Sequence, residues 1–85
     1  MTSVPDLALY YYDTCAYCMR VRAKLVMLGL EVDLRNIRRE PRHRDDLHAA
    51  CGRDTVPVLR IHKDDGDEWL PESGAIVRYL EKRFG

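Results

Sequence analysis

Cys15 and Cys18 stand with only Ala16 and Tyr17 between them, directly after the apolar run Leu7-Ala8-Leu9-Tyr10-Tyr11-Tyr12. A run so rich in β-formers predicts a buried strand. The residues after the pair predict a helix, because Val21, Leu25 and Leu28 recur at helical spacing with the good helix formers Arg22, Ala23 and Lys24 between them. The pair therefore falls at a strand-to-helix turn, with Cys15 at or just before the first helical turn. Unpaired backbone N–H groups and the positive end of the helix dipole favour a thiolate over a thiol at such a place. Cys18, one turn further on, is within reach to attack a mixed disulfide formed on Cys15. The chemistry these residues suggest is that of a redox-active dithiol.

The rest of the chain supplies elements that can hold such a turn. Gly29 ends the first helix, and Leu30-Glu31-Val32-Asp33-Leu34 alternates apolar and polar residues as a second strand continuing towards Ile37. Pro41 opens a second helix, where its missing N–H costs nothing. Leu47, Ala50 and Cys51 share one face of that helix, and Gly52 caps its end. A third strand covers Val56 to His62, and Asp64-Asp65-Gly66-Asp67 makes a tight polar turn into a return strand starting at Glu68-Trp69-Leu70. Ile76, Val77, Leu80 and Phe84 keep the helical period, so a closing amphipathic helix runs from about Ser73 to the end. The predicted order is βαβαββα. The first two strands should be parallel through a right-handed crossover and the last two antiparallel. Together they make a four-stranded mixed α/β sheet flanked by three helices.

Composition bounds the function classes. Eighty-five residues, 46% hydrophobic, suffice for a single domain spanning 1–85 with one core. Fourteen basic residues balance fourteen acidic ones, so net charge argues against nucleic acid or an anionic membrane as the main partner. No stretch approaches the ~18 apolar residues of a membrane span. The start, Met1 to Asp6, lacks the basic and apolar regions of a secretory signal. With three cysteines, two of them too close to staple the fold, a cytoplasmic setting with reduced thiols is expected.

A Cys-x-x-Cys pair beside a βαβ pattern is the mark of a thioredoxin-like redox motif. More specifically, Tyr12-Asp13-Thr14-Cys15-Ala16-Tyr17-Cys18 resembles the active-site loop of glutaredoxins, which usually carry Cys-Pro-Tyr-Cys. Asp54-Thr55-Val56-Pro57-Val58-Leu59 resembles their Thr-Val-Pro segment, in which the proline is cis and faces the active cysteine. The two motifs lie 42 positions apart, Cys15 to Pro57, in the family's order. The C-terminal part departs from glutaredoxins. Leu70-Pro71-Glu72-Ser73-Gly74-Ala75-Ile76-Val77-Arg78-Tyr79-Leu80 instead resembles the segment with which glutathione transferase N-terminal domains hold the γ-glutamyl end of glutathione. Both resemblances imply a thioredoxin-like fold and glutathione as ligand.

The residues support that ligand on physical grounds. Ser73 at a helix start offers a hydroxyl and backbone N–H groups to a carboxylate, and Glu72 can pair with an ammonium. The residue before a proline is pushed to an extended conformation, so Val56 can align a peptide beside it. Thr55 and Pro57 shape the groove, and Tyr17 can cover the thiolate and the bound tripeptide. Among the arginines between positions 35 and 44, Arg38 is the first choice for the glycine carboxylate, with Arg53 a further candidate. Cys51 reads as a small core residue. A zinc site from Cys15, Cys18, His43 and His48 has the right ligand types, but 24 residues separate Cys18 from His43. No metal is therefore expected, and His43, His48 and His62 fall to the surface by default.

The function these readings imply is a monomeric, glutathione-dependent thiol–disulfide oxidoreductase. Cys15 attacks disulfide-bonded or glutathionylated proteins, and Cys18 or glutathione resolves the product. Two alternatives belong to other classes. One is a glutathione transferase N-terminal domain, which requires a helical second domain. The other is a non-enzymatic carrier whose glutathione-ligated iron–sulfur cluster bridges two chains through Cys15.

Overall fold

The computed structural model describes residues 2–85. Its elements are β1 (Thr2–Tyr11), α1 (Ala16–Met27), β2 (Leu30–Asn36), α2 (Pro41–Cys51), β3 (Val58–Lys63), β4 (Gly66–Pro71) and α3 (Ser73–Phe84). The four strands form one sheet in the order β2-β1-β3-β4. β1 runs parallel to β2, with Leu9 opposite Leu34, and antiparallel to β3, with Leu9 opposite Leu59; β3 and β4 are antiparallel. This is the expected thioredoxin-like arrangement.

Alternation along β1 divides the core. Leu7, Leu9 and Tyr11 pack with Cys18, Val21 and Leu25 of α1 and Ile76 and Leu80 of α3. Ala8 and Tyr10 point to the other face and pack with Leu47 of α2, Ile37 and Val58. Because β1 is covered on both sides, its residues Leu7 to Tyr11 are all buried. Burying Leu9 and Leu59 completely is worth ~1.5–3 kcal/mol each.

Several boundaries differ from the sequence reading. β1 begins at Thr2 rather than Leu7, and its pairing with β2 changes register between Ser3 and Ala8. That irregularity surrounds Pro5, which cannot donate to the ladder. β3 starts at Val58 instead of Val56, and Val56 and Pro57, joined by a cis peptide, lie outside the ladder. The hairpin loop is Asp64-Asp65 alone, with Gly66 already in β4 at φ 125°. Asp67 belongs to the strand because Arg60 Nε and His62 Nδ1 hold its carboxylate at 2.6 and 2.7 Å. On α2, Leu47 is buried and Cys51 half-buried, but Ala50 is exposed. His43 is a further correction. It is half-buried, edge-on to Tyr10 with centroids 6.3 Å apart, and its Nδ1 is buried without a partner. His48 and His62 are exposed as expected.

Candidate active site

The apolar end of β1 delivers the chain to Tyr12, and a turn closed by Cys15 N–H to Tyr12 C=O, 3.3 Å, precedes α1. Cys15 is the N-cap of α1, with extended backbone (φ −88°, ψ 116°). Its sulfur takes the place of a capping oxygen, accepting the Cys18 N–H at 3.2 Å. No acidic side chain lies in the first turn to oppose negative charge there. Cys18 is different. It is wholly buried against the core. Burial pushes its thiol well above the ordinary value, and its place beside Cys15 adds to that shift. Both thiols are buried, Cys15 to 7% exposure and Cys18 completely, and they differ in that Cys15 caps the helix while Cys18 lies one turn behind it in the core.

Beside this turn lies a groove of about 590 Å³. Tyr17, Thr55, Val56, Pro57, Glu72 and Ser73 all line it, so six of the residues singled out in the sequence meet in one place. Cys15 and Cys18 are not lining residues; Tyr17, between them in sequence and largely exposed, reaches over from α1. No backbone hydrogen bond among the described residues uses the N–H or C=O of Val56, which leaves both for a peptide laid alongside. The segment before it is tied to α2, because Asp54 accepts Arg44 Nε at 2.8 Å and meets His48 Nδ1 at 2.9 Å. Those partners, Arg44 first, hold the Asp54 carboxyl below its usual range.

The start of α3 forms the far wall. Glu72 occupies its N-cap with φ 73° and ψ 129°, a conformation that side chains resist. Its side chain makes no capping bond, and its carbonyl accepts the Ile76 N–H at 3.0 Å. Ser73 is the first helical residue rather than the cap, buried and lining the groove. The first backbone N–H groups of α3 have no partner within the helix. Hydroxyl, N–H groups and an outward carboxylate therefore converge on one wall. Such a wall suits an ammonium and a carboxylate carried on the same carbon.

Arg38 lies elsewhere. Its guanidinium stacks 3.8 Å over the Tyr12 ring and donates to Thr14 Oγ1 at 3.2 Å. It lines a separate cleft with Pro41 and Arg44. Arg53 lines the groove instead. The sequence reading also passed over Trp69 and Cys51 as groove residues. Trp69 stands opposite Arg60 in the β3–β4 pairing and packs on Tyr10, with ring centroids 5.2 Å apart. Cys51 sits at the last position of α2, where the helix meets the groove. Burial raises its thiol, partly offset by Arg53. Among the described residues, no group of three or more His, Cys, Asp or Glu side chains is arranged to hold a metal ion, and no helix is long and apolar enough to cross a membrane.

Comparison with known proteins agrees with this geometry. Among curated proteins, the chain is 33% identical over 82 residues to glutaredoxin 2 of Escherichia coli, covering 93% of this chain and 34% of that one. Among solved structures, it matches glutaredoxin 2 from Salmonella typhimurium in complex with glutathione, with TM-score 0.75 and 29% identity over 96% of this chain and 35% of that one. It also matches maleylacetoacetate isomerase from Anaeromyxobacter dehalogenans with bound GSH, with TM-score 0.70 and 30% identity over 92% of this chain and 37% of that one. The chain spans about a third of the length of the curated relatives it matches. The family described as glutathione S-transferase, N-terminal domain, matches residues 9–85, nearly the whole sequence. The chain belongs to the glutathione S-transferase N-terminal domain family.

Proposed function

We infer that this chain is a glutathione-dependent thiol–disulfide oxidoreductase acting through Cys15 and Cys18. The observation that carries the reading is the unequal dithiol: Cys15 caps α1 beside the groove while Cys18 is held behind it as a buried thiol. In the proposed reaction the Cys15 thiolate attacks the glutathionyl sulfur of a protein–glutathione mixed disulfide. The S–S bond breaks, the protein leaves as its thiolate, and a Cys15–glutathione disulfide forms. A second glutathione thiolate then attacks the glutathionyl sulfur, releasing glutathione disulfide and regenerating the Cys15 thiolate. For a protein disulfide, Cys18 attacks the Cys15 sulfur of the mixed disulfide and gives up its proton to the departing substrate sulfur, so the substrate leaves as a thiol and a Cys15–Cys18 disulfide remains, which two glutathiones reduce.

In this reading Glu72 receives the γ-glutamyl ammonium, while Ser73 and the α3 N-terminus receive its carboxylate. Val56 pairs with the tripeptide backbone, and Arg53 receives the glycine carboxylate, a role supported by its lining the groove where Arg38 does not. A reducing, cytoplasmic setting belongs to the same proposal. Transferase chemistry is the second reading. Its support is the family assignment and the Glu72-Ser73 wall; against it stands the paired Cys18, which transfer to an electrophile does not use.

The intermediate can be trapped. The Cys18→Ser, Cys51→Ser variant, incubated with glutathione disulfide and digested without reductant, should carry one glutathionyl group on the peptide containing Cys15. An unmodified Cys15 under conditions that modify free cysteine would end the reading.

A further inference from the structure

Of the two buried polar side chains among the described residues, Ser73 lines the groove and Asn36 lies apart from it, at the end of β2. A buried amide is costly unless its hydrogen bonds are met. Asn36 meets them by joining two loops. Its Oδ1 accepts the backbone N–H of Arg38 at 2.9 Å and of Arg39 at 3.1 Å, turning the chain from β2 towards α2. Its Nδ2 donates in the other direction, to Asp13 Oδ2 at 3.3 Å in the turn between β1 and α1.

Asp13 is gripped from further sides. Arg39 Nη2 lies 3.2 Å from its Oδ2, and Arg22 Nη1 of α1 lies 3.8 Å from its Oδ1. On either side of Asp13, Arg38 stacks on Tyr12 and donates to Thr14. The residues Tyr12, Asp13 and Thr14 are therefore each held by the turn after β2, and Cys15 follows directly. Exposed ion pairs alone contribute little, typically ~0.2–1 kcal/mol. Here they gather on Asp13, which is exposed itself but bonded to the buried Asn36, and together these contacts converge on the three residues before the capping sulfur.

We propose that Asn36, Asp13 and Arg38 form a clasp that positions the Cys15 turn. They are positioning residues for the thiol chemistry and make no contact with glutathione. The assignment rests on the reading of Cys15 as the nucleophile. It also gives Arg38 a role that accounts for its distance from the groove.

The test separates positioning from binding. Asn36→Asp keeps an acceptor oxygen for the Arg38 and Arg39 N–H groups but removes the donor and sets a carboxylate against Asp13. Its kcat should fall about tenfold at unchanged KM for glutathione, within the ~10²-fold that a 1 Å misplacement can cost. Combining it with Asp13→Asn restores the bond in the reverse direction, and kcat should return to within about threefold of wild type, the sign of a coupled pair. Arg38→Ala, an exposed position with little risk to folding, should also lower kcat and leave KM alone. A rise in KM for Arg38→Ala would make Arg38 a ligand contact and overturn its place in the clasp.

Amide exchange gives a readout independent of turnover. At Cys15 and Cys18 it should speed up about tenfold in Asn36→Asp and return in the swapped pair, while the amides of β3 keep their protection. Wild-type kcat and exchange in Asn36→Asp, or a loss that the swap leaves unrepaired, would overturn the clasp. If the wild-type chain shows no glutathione turnover, the functional reading fails instead, and the exchange comparison still decides the clasp.

Discussion

Cys15→Ser should leave no measurable glutathione-dependent reduction of a small glutathione mixed disulfide, whereas Cys18→Ser should retain much of it. The asymmetry follows from the two environments. Cys15 caps α1, and its sulfur accepts the Cys18 N–H at 3.2 Å. Cys18 is buried deepest and its thiol is raised well above the ordinary value, so with no mixed disulfide beside it to attack it stays protonated and cannot replace the missing nucleophile. Free glutathione can still resolve the intermediate when Cys18 is absent. Reduction of protein disulfides that need both thiols should be lost in either variant. The measurement is turnover with each substrate class for each variant. An active Cys15→Ser paired with a dead Cys18→Ser would reverse the roles assigned here.

Glu72→Gly should move stability and binding in opposite directions. The Glu72 backbone at φ 73° and ψ 129° is a conformation glycine adopts without steric cost. Such strain costs ~1–3 kcal/mol, and the extra freedom of glycine in the unfolded chain takes back ~0.5–1 kcal/mol. A net gain of ~1 kcal/mol corresponds to a rise in Tm of ~4–8 °C for a domain of this size. The same change removes the carboxylate proposed to hold the γ-glutamyl ammonium. A charge-assisted hydrogen bond worth ~1.5–3 kcal/mol implies a KM for glutathione raised roughly tenfold or more. Ser73→Ala separates the wall from the strain, because Ser73 is not the cap and its loss should cost little stability while raising KM. Thermal melts and glutathione saturation curves on the three proteins check this. A Glu72→Gly variant with an unchanged KM would reduce the segment to a helix start.

The dithiol was legible because it needed only local information. An apolar run, a Cys-x-x-Cys pair and a helical repeat place Cys15 at a helix start, and the backbone has no other way to join those elements. The groove was legible for a different reason: the Thr55-Val56-Pro57 and Glu72-Ser73 segments resemble those of glutaredoxins and glutathione transferases, and the fold brings them to one groove. Arg38 was not legible. Five arginines between positions 35 and 44 are equivalent in sequence, and only the fold of the turn shows that Asn36 directs Arg38 back onto Tyr12. Arg53 gains its place from Asp54, which pins the following segment to α2 through Arg44 and His48. The polar turn at Asp64 misled for a related reason, since Asp67 is drawn into β4 by partners across the hairpin that no local pattern displays. Strand and helix type were fixed by short-range periodicity, whereas the direction of long charged side chains depends on contacts distant in sequence.

Glutathione is the proposed electron donor to Cys15. The most direct measurement is steady-state reduction of a small glutathione mixed disulfide by the wild-type chain, coupled to glutathione reductase, as glutathione is varied. Turnover should lie far above the uncatalysed exchange and should rise with glutathione. Turnover no faster than uncatalysed exchange, in a chain that a protein dithiol reductant still keeps cycling, would contradict it.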